Sequence, residues 1–170
     1  MQNKTRQLTL ISLFLALCIV VPIFFHSIGA GAIFLPMFLP IILAGFLIDF
    51  PYPMIVGLFG PWISALITGM PPLFPTAFIM SAEGLVTAGL ISYLYHKKHL
   101  SFWLCLIIGI LGERLTLILM GFIIAPLFHL PWKLFSLYKV MESFPGILLQ
   151  LILIPVLLKI IWNFKIIHQK

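Results

Sequence analysis

Three ionisable residues, Glu83, Glu113 and Arg114, stand inside otherwise apolar stretches of this chain. A charged side chain at the centre of a bilayer costs about 2.5–3.5 kcal/mol on insertion scales, so groups kept there are candidates for function. Glu83 falls about six residues from the start of one predicted helix, roughly 9 Å along it at 1.5 Å per residue. Arg114 falls about ten residues from the end of the next helix, roughly 15 Å in by the same rise. Lys139 and Glu142 occupy the first turns of the last predicted helix. If the last three helices are neighbours, Glu83, Arg114, Lys139 and Glu142 converge on one cavity. Such a set binds rather than reacts. Arg114 with Lys139 suits a small carboxylate through charge-assisted hydrogen bonds, and Glu83 accepts from hydroxyl or amide groups. Phe74, Phe78 and Trp132 suit a flat ring. The alternative is an interhelical ion pair, Glu83 or Glu142 with Arg114, that only neutralises charge. Glu113 points about 100° away from Arg114 round the helix, and either lines the cavity or pairs elsewhere.

Catalytic patterns are missing. The chain has no Gly-x-Ser-x-Gly, no His-Glu-x-x-His and no Gly-x-x-x-x-Gly-Lys sequence, and thus no recognisable nucleophile elbow, zinc helix or phosphate loop. No His, Cys or carboxylate cluster has metal-ligand spacing, so neither a metal nor a cofactor is expected. Cys18 and Cys105 lie in separate apolar runs and read as packing residues. The chain is expected not to be an enzyme.

The elements that must hold these residues are membrane spans. Charged residues make up 8% of the chain and hydrophobic ones 62%, in runs long enough to cross a hydrocarbon core of about 30 Å. The 170 residues have room for about six helices and no separate soluble domain, so the expectation is an all-α integral membrane protein, a bundle of six transmembrane helices forming a single transmembrane domain over residues 1–170. The spans run from about Leu8 to Phe25, Phe34 to Asp49, after Pro51-Tyr-Pro53 to Thr68-Gly69, Thr76 to Tyr95, Ser101 to Ile124 and Tyr138 to Phe164. Pro36 and Pro40 bend the second, and Pro71, Pro72 and Pro75 forbid regular helix between the third and fourth. The first run is followed by Pro22, Phe24 and Phe25 where a signal peptide would need small residues, so it is read as a mature helix.

Orientation follows from the basic residues. Lys4 and Arg6, Lys97 and Lys98, and Lys165 and Lys170 fall on one face of a six-span bundle, which the positive-inside rule makes cytoplasmic, with both termini. The net charge of +6 therefore points to anionic headgroups, not to nucleic acid. The opposite face carries Met70–Pro75, a proline-stiffened apolar segment suited to cover a pocket. Ser12 and Ala16 on the first helix, and Gly84 and Ala88 on the fourth, form small-x-x-x-small faces that allow close helix approach; one facing lipid would mean a partner helix.

Leu13-Phe-Leu-Ala-Leu17, Phe34-Leu-Pro-Met-Phe-Leu-Pro-Ile-Ile-Leu-Ala-Gly45 and Gly69-Met-Pro-Pro-Leu-Phe-Pro75, with the length, six spans and basic loop, resemble the S components of energy-coupling-factor transporters. These are the substrate-binding membrane subunits that capture vitamins in prokaryotes. The resemblance covers essentially the whole chain. It implies a multi-pass protein of a prokaryotic cell membrane, a ligand site in the outer half beneath the first and third loops, and a motor made of a membrane T component and two cytoplasmic ATPases. The family's Ala-x-x-x-Ala face on the first helix, which docks on the T component, matches Ser12 and Ala16 here, with serine in the first position. The general pattern is similar to pantothenate-type members, while the aromatic residues keep pyridoxine-like and hydroxymethylpyrimidine-like ligands open. A small intramembrane enzyme or a structural assembly subunit is the reading of another class.

Overall fold

Proline and glycine decide where the helices of this chain begin and end. The computed structural model describes residues 4–27, 29, 34–129, 141 and 143–167. Among them are six α-helices and no strand: α1 (Lys4–Ser27), α2 (Phe38–Leu47), α3 (Pro53–Thr68), α4 (Phe78–Ser92), α5 (Phe102–Leu127) and α6 (Phe144–Ile167). Pro53 opens α3, where its missing N–H has no helical partner to lose. Gly69 closes it in the left-handed region at φ 73°, its N–H returning to the Ala65 carbonyl. Between α3 and α4 the prolines have the expected effect: Phe74 is extended at φ −130°, ψ 137°, and a wide π-type turn, Leu73–Ala77, leads into α4. A second such turn, Tyr93–Lys97, leads out of it.

Four helical stretches are long and apolar enough to cross a membrane: Lys4–Ser27, Leu73–Lys97, Phe102–Leu127 and Phe144–Asn163. α2 and α3 are shorter, at 10 and 16 residues. α2 is apolar all round, and every residue from Phe38 to Phe46 is buried. A helix of that kind belongs in the centre of a bundle, with no face to offer lipid. The helices around it are amphipathic in a different sense. Their outward faces carry large apolar residues such as Leu13, Val20, Phe24, Leu111, Leu115, Leu119 and Ile152, suited to hydrocarbon.

The packing centres on α2 and α4. α4 lies against α2, α3 and α5, α1 covers α2 and α3, and α6 rests on α2. Glycines set the tightest crossings. A Cβ at Gly57 would lie 2.2 Å from the carbonyl oxygen of Gly84, so α3 and α4 touch backbone to backbone. The Gly84–Ala88 face is thus internal, with Ala88 fully buried. Cys18 fills the α1–α3 contact, its sulfur 3.0 Å from where a Gly60 Cβ would sit, and Cys105 is also free and buried.

Gly57→Ala is expected to destabilise the protein by about 1–3 kcal/mol, since backbone cannot yield as a side chain does. Gly89→Ala is the control. Its Cβ would meet only the flexible Met54 side chain, at 3.3–3.5 Å, and its stability should stay within about 0.5 kcal/mol of wild type. Thermal unfolding of both variants in detergent checks the pair.

Candidate functional site

Two features at one end of the bundle form the candidate site: an apolar cavity, and beneath it a buried polar cluster. The cavity has a volume of about 560 Å³, within the range of small-molecule pockets. Its walls come from the end of α1 (Pro22, His26), the approach to α2 (Pro36, Met37), the α3–α4 connection (Met70, Pro72) and the start of α4 (Thr76, Met80). The connection is held in place at both ends. The Ser64 and Thr68 hydroxyls donate to the Met70 carbonyl at 2.9 and 3.0 Å, and the Phe74 ring packs edge-on against Phe128 at 4.8 Å.

The polar cluster begins where the cavity wall ends. Met37 and Met80 line the cavity. Next to Met37, the Phe38 ring lies 6.0 Å from the Arg114 guanidinium carbon. One turn beyond Met80, Glu83 is 4% exposed and interacts electrostatically with Arg114. Arg114 itself is 8% exposed; its Nη1 donates to Ser143 Oγ at 3.1 Å, and its Nη2 pairs with Glu113 Oε1. Glu113 is fully buried. α4, α5 and the start of α6 therefore meet at Arg114.

The cluster is incompletely satisfied. Glu83 Oε1, Glu113 Oε2 and Arg114 Nε have no hydrogen-bond partner among the described residues, and elsewhere in the bundle neither do Ser81 Oγ, Thr87 Oγ1 and the polar side-chain atoms of Gln150. Unmade hydrogen bonds of buried groups cost about 1–3 kcal/mol each. Two buried carboxylates also face a single guanidinium here. An arrangement with spare donors and spare acceptors can receive a polar ligand that brings both kinds of group.

The expected site residues separate. Glu83 and Arg114 come together. The carboxylate that hydrogen-bonds Arg114 is Glu113, its chain neighbour, because both side chains bend toward each other from adjacent positions on α5. Phe74 and Phe78 point away from the cavity, at 48% and 45% exposure; Phe78 packs edge-on against Trp62 at 6.4 Å. Trp132, Lys139 and Glu142 lie outside the described residues. Ser12 and Ala16 sit on the exposed face of α1, beside Leu8, Leu13 and Val20. Sequence reasoning passed over Met37, Thr76, Met80, Ser143 and Gln150. The signal for Gln150 was a polar residue alone in an apolar run; Ser143 and the methionines carried none.

Removing Arg114 leaves Glu83 and Glu113 uncompensated, whereas removing the Glu113 charge leaves Glu83 to balance the guanidinium. Arg114→Met is therefore expected to destabilise the unliganded protein by about 3–5 kcal/mol, and Glu113→Gln by clearly less. Thermal unfolding of the two variants in the same detergent decides the order.

Comparison with known proteins agrees with this architecture. The model of the family described as "ECF transporter, substrate-specific component" matches residues 6–158. Searches of curated proteins and of solved structures gave no match. The family is one of transport components that bind a substrate, and not a family of enzymes. With the match running over most of its length, this chain belongs to the ECF transporter substrate-specific component family.

Proposed function

We propose that this chain is the high-affinity substrate-binding subunit of an energy-coupling-factor importer, capturing a B vitamin in its outward-facing cavity. The observation that carries the reading is the incompletely hydrogen-bonded cluster around Arg114, set directly beneath an apolar cavity of about 560 Å³. An apolar chamber excludes water, and unmet polar atoms at its floor give orientation and specificity. Glu83 and Arg114 are the principal ligand contacts in this proposal. Glu113 joins them, and Lys139 and Glu142 are added on the sequence reading alone. Phe74, Phe78 and Trp132 are kept as aromatic ligand contacts in this proposal, Phe74 and Phe78 reaching a ligand only by turning from their exposed positions.

Pantothenate is the leading ligand. Its hydroxyl and amide N–H groups supply donors for Glu83 and Glu113, and its carboxylate extends the network of Arg114 and Lys139. The excess of carboxylates favours a second reading. A neutral or cationic ring carrying hydroxyl donors, as in pyridoxine or a hydroxymethylpyrimidine, meets two carboxylates and one guanidinium without adding negative charge.

The transport cycle needs partners. The chain carries no phosphate loop, so a membrane T component and two cytoplasmic ATPases supply the motor in this reading. Ser12 and Ala16 form the docking point for the T component. They are small residues at the centre of an exposed apolar helix face, which lets a partner helix approach closely. The chain is taken as one domain of six spans in a prokaryotic cell membrane, α2 and α3 with their flanking turns completing the set. Lys4, Arg6, Lys97, Lys98, Lys165 and Lys170 then lie on the cytoplasmic side with both termini.

Thermal stabilisation across a panel of B vitamins tests the reading directly: one vitamin should raise the melting temperature, without turnover. Product formation by the isolated chain, or no stabilisation by any vitamin, overturns it. Glu83→Gln and Arg114→Lys should each weaken that vitamin by about 1.5–3 kcal/mol in the folded fraction, the scale of a hydrogen bond to a charged group. Ala16→Trp should abolish uptake in cells while binding by the purified protein is unchanged. If uptake and binding fail together, that face packs within the bundle.

A further inference from the structure

At the end of the bundle opposite the cavity lies a second cleft, of about 230 Å³ and different chemistry. Three segments frame it. Lys4 and Gln7 come from the start of α1, Asp49 and Tyr52 from the α2–α3 turn, and His96 and Lys97 from the end of α4. The groups that hold these segments together are accounted for. Gln7 Oε1 accepts from the Asp49 backbone N–H at 3.3 Å, and Asp49 Oδ1 lies 3.5 Å from His96 Nδ1. The one carboxylate of the cleft is thereby engaged with His96. Lys4 and Lys97 are both exposed, and neither forms an ion pair among the described residues. Two ammonium groups thus line one small cleft without a carboxylate of their own.

That composition fits an anion, and the surroundings indicate which. Phe50 supplies an apolar wall to the same cleft. One turn along α1 from Lys4, Leu8 is 62% exposed and stands beside the cleft. A ligand seated on the lysines therefore has apolar surface, Phe50 and Leu8, next to it for the start of a hydrocarbon chain. Free phosphate gains nothing from that surface, whereas a phospholipid uses both parts. Basic pockets between helices at a membrane surface attract anionic headgroups in this manner. We propose that this cleft binds the phosphate of an anionic phospholipid, with Lys4 and Lys97 as its cationic contacts and the Tyr52 hydroxyl as a further donor. The bound headgroup bridges α1 to the end of α4. This inference rests on the chain lying in a membrane, and not on which vitamin fills the cavity at the other end.

Native mass spectrometry of the full chain, released from micelles holding phosphatidylglycerol or phosphatidylcholine, tests it. Wild type should retain phosphatidylglycerol in preference to phosphatidylcholine. The double variant Lys4→Gln/Lys97→Gln should lose about fivefold or more of that retention. Arg6→Gln/Lys98→Gln removes the same charge from residues that do not line the cleft, and should stay near wild type. Equal losses in the two double variants would mean diffuse attraction and overturn the site. So would equal retention of the two lipids. Displacement of the lipid by inorganic phosphate at matched concentration would make the cleft a soluble-anion site and overturn the lipid assignment. The vitamin-induced stabilisation of Lys4→Gln/Lys97→Gln, measured alongside, separates failure here from failure of the transport reading.

Discussion

The backbone contact between Gly57 and Gly84 is the constraint on which the rest of the arrangement depends. With no Cβ on either side, α3 and α4 approach until a carbonyl of one helix meets the backbone of the other. Without a strong hydrophobic drive between helices in lipid, such close packing is a main source of association. The crossing has two consequences. It fixes the span of the α3–α4 connection, whose Met70 and Pro72 wall the cavity. It also leaves Glu83, next to Gly84 on α4, buried in the bundle and interacting with Arg114. The position of this buried carboxylate is thus set by its glycine neighbour.

The charged cluster is a poor way to stabilise a small bundle. Apolar side chains of similar size would hold α4, α5 and α6 at least as well, since burying a charge costs several kcal/mol before any pairing recovers it. The Arg114–Glu113 pair recovers part of this, and Ser143 adds a hydrogen bond. The remaining donors and acceptors have no partner among the described residues. In a family whose members bind a transported substrate, a deficit of this kind directly below a cavity has a simple physical meaning. In the function proposed above, the ligand completes the cluster, and binding energy comes from hydrogen bonds that the described residues leave unmade.

The two ends of the molecule divide the chemistry. One end is walled mainly by apolar residues and proline, with the buried polar cluster deeper in the bundle. The other is polar at its surface, where Gln7, Asp49 and His96 tie α1, the α2–α3 turn and the end of α4 together. Between them α2 is buried on all sides. That central helix lets the surrounding ones present lipid-compatible faces outward while a polar cluster survives inside.

Much of this was legible in one dimension, because membranes impose strong local rules. Backbone polar groups must be satisfied within a helix, so apolar run length and proline and glycine positions predicted the helices, the irregular Met70–Pro75 segment and the stop at Gly69. Buried charge is costly enough that Glu83, Glu113 and Arg114 stood out without a structure. Which of them pair was not legible. Glu113 and Arg114 start about 100° apart on α5, and their flexible side chains closed that angle within the packed bundle. The small-residue faces read alike in sequence, yet Gly84–Ala88 is internal while Ser12–Ala16 faces outward. Sequence spacing fixes which residues share a helix face, but only the packing of neighbouring helices fixes where that face points. The cavity wall escaped for the same reason. Met37, Thr76 and Met80 are ordinary residues brought together from distant positions, and nothing in their types marks them until the chain has folded.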